Sequence, residues 1–154
     1  MIGKLTFLIF VLIVEFASAK QRTVVQGELY CDGKPYGGAT VKLYDKDIVV
    51  DDLMAKNESK KDGSFYLDGT ASDLITNISP KLYIYHKCNK GSFVRIAKFC
   101  YIYESCKREW IFNIPGDYVF KDTDKKIKIL DVGRWELMVK PQSETSKCLP
   151  AKKA

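Results

Sequence analysis

Ala39-Thr40-Val41-Lys42-Leu43-Tyr44 alternates apolar and polar side chains residue by residue, and that period decides the fold. Successive side chains on a strand point to opposite faces, so Ala39, Val41 and Leu43 share one face and Thr40, Lys42 and Tyr44 the other. An amphipathic helix would instead repeat its apolar positions at three- and four-residue steps. Upstream, Thr23, Val25, Gly27 and Leu29 line one face of an earlier strand, and Cys31-Asp32-Gly33-Lys34-Pro35 turns the chain. Downstream, Asp45-Lys46-Asp47 begins a polar connection, and a weaker strand signal spans residues 53–59.

Lys61-Asp62-Gly63-Ser64 is a second turn, after which Phe65 and Leu67 point one way until Gly69 ends the strand. Ser72 and Asp73 are good caps for a short helical turn over residues 71–77, with Leu74, Ile75 and Ile78 on its apolar side and Pro80 as its stop. Leu82, Ile84 and His86 alternate with Tyr83 and Tyr85, a strand apolar on both faces and therefore central. Residues 106–114 form another of the same kind, with Trp110, Phe112 and Ile114 on one face. Residues 127–130 and 135–139 read as two last strands meeting at Asp131-Val132-Gly133. Lys125, Lys126 and Lys128, alternating in part with Ile127 and Ile129, mark an edge where lysines discourage unwanted pairing. About seven or eight short strands in one chain imply an all-β sandwich.

The whole sequence has 154 residues, 46% hydrophobic and 29% charged, with 25 Lys+Arg against 19 Asp+Glu and a net charge of +6. That is one globular domain, neither collagen-like nor wholly disordered nor a multi-span membrane protein. Lys4, the apolar run from Leu5 to Val14 and the small residues Ala17-Ser18-Ala19 read as a secretory signal peptide over residues 1–19. Glu15 cuts the run far short of a bilayer span. The expected organisation is therefore a signal peptide at 1–19, the sandwich at 20–140 and a polar tail at 141–154.

Export places Cys31, Cys88, Cys100, Cys106 and Cys148 in an oxidising pathway as disulfide candidates. Five is odd, and spacing alone leaves many pairings open; a loop-closing Cys88–Cys106 bond is the favoured one. Asn57-Glu58-Ser59 and Asn77-Ile78-Ser79 fit the glycosylation acceptor pattern, the second weakened by Pro80.

In order along the chain stand Gly33-Lys34-Pro35, Val41-Lys42-Leu43-Tyr44-Asp45, Asp51-Asp52-Leu53-Met54, Asp62-Gly63-Ser64-Phe65, Ile78-Ser79-Pro80, Tyr85-His86-Lys87-Cys88, Cys106-Lys107-Arg108, Ile114-Pro115 and Asp131-Val132-Gly133. This ordered set resembles the nematode transthyretin-like family of secreted proteins from about Val25 to Val139. The resemblance implies the transthyretin (prealbumin-like) sandwich of two four-stranded, Greek-key-like sheets with one short helix, secretion, and extracellular interaction without one implied ligand. Cys31, Cys88 and Cys106 stand where such proteins carry cysteines, whereas residues 89–105 are longer and more aromatic than that pattern. The hydroxyisourate hydrolases related by fold need several histidines and a Tyr-Arg-Gly-Ser ending. This chain has one histidine and ends Cys148-Leu149-Pro150-Ala151-Lys152-Lys153-Ala154. Fold alone does not carry the activity across.

His86 is expected to be structural, hydrogen-bonded to a neighbouring loop, since no nucleophile and base pattern accompanies it. Asp45, Asp47, Asp51 and Asp52 match a calcium loop only loosely, lacking its central Gly and terminal Glu, so no metal is expected and a solvated loop is preferred. No catalytic residue and no cofactor is expected either. The candidate contacts for a ligand or an anionic surface are Lys87, Lys90, Arg95, Lys98, Tyr101 and Tyr103, cations interleaved with aromatics. The expected function is extracellular binding or signalling, with a lipid, a small apolar molecule or a cell-surface protein as partner, peripheral membrane contact as one form of it, and no nucleic acid. A hydroxyisourate-type hydrolase and a structural matrix or cuticle component are the alternatives.

Overall fold

A computed structural model of the chain describes residues 20–47, 50–73, 77–89 and 103–150. The expected signal peptide and Cys100 lie outside the described residues. The strands are β1 (Gln21–Cys31), β2 (Lys34–Pro35), β3 (Thr40–Asp45), β4 (Asp52–Glu58), β5 (Ser64–Ala71), β6 (Pro80–His86), β7 (Tyr103–Asn113), β8 (Phe120–Lys121), β9 (Leu130–Glu136) and β10 (Thr145–Pro150).

They form two sheets, as the alternation requires, but each has five strands among the described residues where four were expected. In the first, β1 is central: it pairs antiparallel with β2, β5 and β8, and parallel with β9. The second runs β10-β7-β6-β3-β4, antiparallel throughout. Val25, Leu29, Phe65 and Leu67 from the first sheet meet Val41, Leu43, Leu82, Ile84 and Trp110 from the second in one core. The alternating burial of β3 and β6 matches the faces predicted from their sequence. Each fully buried Leu or Ile contributes about 1.5–3 kcal/mol on leaving water.

Several local expectations are corrected. The strand after Phe65 does not end at Gly69; β5 continues to Ala71, because its ladder with β1 runs on through Thr70 and Ala71, while Gly69 leaves room for β4, an added Cβ there standing 2.8 Å from the Cβ of Met54. Residues 127–130 and 135–139 are not two strands. One strand, β9, runs through Gly133, whose φ of 70° absorbs a register shift opposite Gly27. Lys125, Lys126 and Lys128 lie in the irregular approach to β9, not on an edge strand. The region from 141 on is not a tail, since Thr145–Pro150 adds to the sheet as β10, held by the β7 ladder. The expected helical turn over 71–77 falls partly outside the described residues; among the described residues the helical element is a short 3-10 turn at Gly116–Tyr118. Cys88 bonds Cys31 rather than Cys106, because the β1 end and the residue after β6 bring their Cα atoms to 5.8 Å. Cys106 is itself disulfide-bonded.

Candidate functional site

The only histidine is sealed inside. His86 closes β6 on its inward face, 1% exposed, edge-on to Trp110 at 5.2 Å and to Tyr36 at 6.4 Å between ring centroids. The expected hydrogen bond to a loop is absent: neither ring nitrogen has a partner among the described residues. Burial, reinforced by the Arg108 charge and only partly offset by Glu144, pushes the imidazole down to about 4, so it is neutral at physiological pH. Among the described residues no nucleophile is bonded to His86, and its ring is withdrawn from water.

Beside it lies a charged group that sequence reading missed. Arg108, buried on β7, donates through Nε to Glu144 Oε2 at 2.9 Å and through Nη1 and Nη2 to the carbonyls of Leu137 and Val139 at 2.6 and 2.7 Å. Trp110 Nε1 donates to the same Glu144 oxygen at 2.7 Å. Burial alone would raise the Glu144 carboxyl, but these donors and the Arg108 charge outweigh it and hold it below the usual carboxylate range. Glu144 was unreadable in sequence because it sits in a polar run with no period.

The outward face of the second sheet has a different character. Tyr44, Tyr83 and Tyr85 lie half-buried along β3 and β6, with Tyr44 and Tyr83 edge-to-face at 5.1 Å and Tyr83 and Tyr85 stacked at 6.3 Å. Lys42 rises among them, its Nζ 5.4 Å from the Tyr44 and the Tyr85 ring centroids and donating to the Tyr44 hydroxyl at 3.1 Å. Burial raises the Tyr83 and Tyr85 phenols, Tyr85 further through its hydrogen bond to Glu109, so both stay protonated donors. The ladder places Lys56 opposite Lys42, Lys81 opposite Tyr44, and Lys147 opposite Lys107. Lys107 Nζ reaches Thr40 Oγ1 at 3.0 Å, and Thr145 Oγ1 donates to Glu109 at 2.6 Å, which fixes these side chains on the same outer face. Alternation in β6 signalled this face, since Tyr83 and Tyr85 could not share the core with Leu82 and Ile84.

Other sequence candidates separate. Lys87 is exposed, and its backbone N–H donates to the Tyr36 hydroxyl at 3.1 Å. Tyr103 begins β7. Lys90, Arg95, Lys98 and Tyr101 lie outside the described residues. Asn57 and Asn77 are both exposed; Asn57 Nδ2 donates to the Tyr66 carbonyl at 3.3 Å and Asn77 Oδ1 accepts from Gln21 at 2.9 Å. In the acidic loop Asp45, Asp47 and Asp73 bring carboxylate oxygens within 4.8 Å of one another, while Asp51 pairs with Lys46 at 2.9 Å. Asp45 accepts the Ser79 N–H at 2.7 Å, and burial with the nearby Asp73 and Asp52 charges raises its carboxyl. Three carboxylates would supply part of the about six to eight oxygens calcium takes. On the first sheet a shallow depression of about 500 Å³ runs past Gln26, Glu28, Asp131 and Arg134, whose polar groups bond one another: Gln26 to Asp131 at 3.0 Å and Arg134 to Glu28 at 3.3 Å.

Comparison with known proteins follows the same lines. The sequence model of the transthyretin-like family matches residues 26–115. Transthyretin-like protein 5 of Caenorhabditis elegans is 37% identical over 131 residues, 84% of this chain and 85% of its own length. Transthyretin-like protein 33 of the same organism is 34% identical over 131 residues, covering 84% and 82%. Transthyretin-like protein 2 is 32% identical over 143 residues, 88% of each.

Proposed function

Since the chain belongs to the transthyretin-like family, we propose that it is a secreted, non-enzymatic binding protein whose contact surface is the outer face of the second sheet. The observation that carries this reading is the tyrosine platform of Tyr44, Tyr83 and Tyr85 around Lys42, flanked by further lysines. Tyrosines are enriched among the residues that carry binding energy, and lysines spread around them add attraction for an anionic partner. The Cys31–Cys88 disulfide supports an oxidising compartment, and the apolar leader at residues 1–19 supplies the address. The sealed, neutral His86 argues against hydrolase chemistry. The partner is extracellular: a lipid, a small apolar molecule or a component of the cell surface. Asn57 and Asn77, both exposed, serve as glycan acceptors in this reading.

Expression of the full sequence in a secreting eukaryotic host tests it. The expected product is exported, begins at Lys20, carries the Cys31–Cys88 bond, leaves hydroxyisourate decay unchanged, and is retained on cell surfaces less well when Lys42 is changed to Glu. Retention in the cytosol with Cys31 and Cys88 as free thiols, or accelerated hydroxyisourate decay, overturns it.

A further inference from the structure

We infer that the outer face of the second sheet, taken as the contact surface proposed above, binds a linear sulfated polysaccharide. The lysines of this face are spread, not gathered in one pocket. Lys56 stands on β4 at one edge, Lys42 and Lys81 on β3 and β6, and Lys107 and Lys147 on β7 and β10 at the other edge. With strands about 4.8 Å apart, they span about 19 Å from edge to edge. Glu58 and Glu109 are the acidic side chains at matching outward positions; Glu109 is already engaged by Thr145, and Asp51 near the Tyr44 corner is paired with Lys46. The net positive field of the face therefore matches a chain of repeated anionic groups better than a single phosphate or carboxylate.

The tyrosines decide among anionic partners. Tyr44, Tyr83 and Tyr85 are half-buried and packed on one another, Tyr44 edge-to-face on Tyr83, so they rise little above the sheet; Ile111 opposite Tyr83 is half-buried too, and Leu53 and Val50 are exposed at the Tyr44 end. Bilayer insertion needs a continuous apolar surface reaching well below the headgroups, and among the described residues of this face the exposed apolar side chains are confined to the Tyr44 end, at Val50 and Leu53. Tyrosine hydroxyls and ring edges beside lysine ammonium groups instead suit a sugar chain that carries sulfates, its hydroxyls bonding the phenols while the charges pair. A second copy of this chain is disfavoured on the same face, because an isologous contact would lay lysines against lysines.

The test uses the exported full-length product and size-defined heparin fragments, desulfated heparin of the same length, and vesicles of phosphatidylserine with phosphatidylcholine. The expected result at about 0.15 M salt is binding to the sulfated fragment and not to the desulfated one, weakened steeply by added salt. Changing Lys56→Glu together with Lys81→Glu is expected to weaken binding by about tenfold or more. The control Lys125→Glu with Lys126→Glu, an equal charge change on exposed residues away from the sheet, is expected to weaken it far less. The milder Lys56→Gln with Lys81→Gln keeps the comparison open if charge reversal disturbs folding. Absence of binding to the sulfated fragment, equal binding to the desulfated one, equal loss in the control, or tighter binding to the vesicles through the same lysines each overturns the inference. An exported protein that still coats cell surfaces through Lys42 but ignores heparin leaves the binding role standing and removes only the glycan.

Discussion

Arg108 and Glu144 form an ion pair inside the sandwich, with both side chains almost fully withdrawn from water. Arg108 stands on β7, while Glu144 immediately precedes β10, so the pair anchors the last strand to the sheet. Removing one partner leaves the other charge buried and unpaired, which costs about 3–5 kcal/mol. Glu144→Ala is therefore expected to lower the unfolding free energy by about that amount, strand β10 fraying first in hydrogen exchange. Urea unfolding that shows a loss below about 1 kcal/mol contradicts the pair's anchoring role.

The Cys31–Cys88 bond closes a loop with a sequence separation of 57, joining the end of β1 to the residues after β6. A cross-link of that span restricts the unfolded chain and is worth about 2–4 kcal/mol. The double variant Cys31→Ala, Cys88→Ala, which leaves the bond at Cys106 intact, is expected to unfold at correspondingly lower denaturant concentration. Thermal and urea midpoints equal to those of the parent protein count against a stabilising role.

Alternation carried most of the fold. Val41 and Leu43 read as sharing one face, as do Leu82 and Ile84, and both sets lie in the core, because a period of two keeps each set on one side of its strand. What stayed hidden depended on contacts distant in sequence. The parallel pairing of β9 with β1 needs Gly133 opposite Gly27, and no local signal announces a bulge partner about a hundred residues away. The 141–154 region read as a tail because Glu144 looks solvated until Arg108 and Trp110 are placed beside it. The binding face was half legible: Tyr83 and Tyr85 were recognised as a second apolar face, but their meeting with Lys42 and Lys56 required the strand order β6-β3-β4.

Gly63 holds the turn before β5 at a φ of 82°, and a Cβ there would lie 2.4 Å from the carbonyl oxygen of Leu29. The neighbouring atom is backbone, so it cannot swing aside, and the left-handed conformation adds strain of its own. Gly63→Ala is expected to destabilise by more than about 2 kcal/mol. Gly33→Ala, at a similar φ of 69° with open space around it, isolates the strain from the clash and is expected to cost less. Equal losses in the two variants, measured by urea unfolding, would refute the steric account.

Acid should weaken the fold through His86. Its folded value lies near 4 against an ordinary 6.5, so between those pH values the unfolded chain binds a proton that the folded chain refuses. Stability from this group is complete above about pH 6.5, falls as pH drops, and is exhausted below about pH 4, a total of about 3 kcal/mol. The groups facing the ring are Trp110 and Arg108 from β7, Tyr36 from the β2–β3 connection, and Glu144 before β10. Glu144, itself held low, adds a loss of the same sign as it is protonated, whereas Asp45, held high, opposes it at the acid end. His86→Phe removes the histidine contribution together with the smallest part of the Glu144 depression, which His86 supplies, so the difference between the parent and variant stability curves is dominated by the imidazole. The difference is expected to slope between pH 6.5 and 4 and to be flat above. A flat difference across that window, read from urea unfolding at half-unit pH steps, would mean that water reaches the imidazole in the folded state.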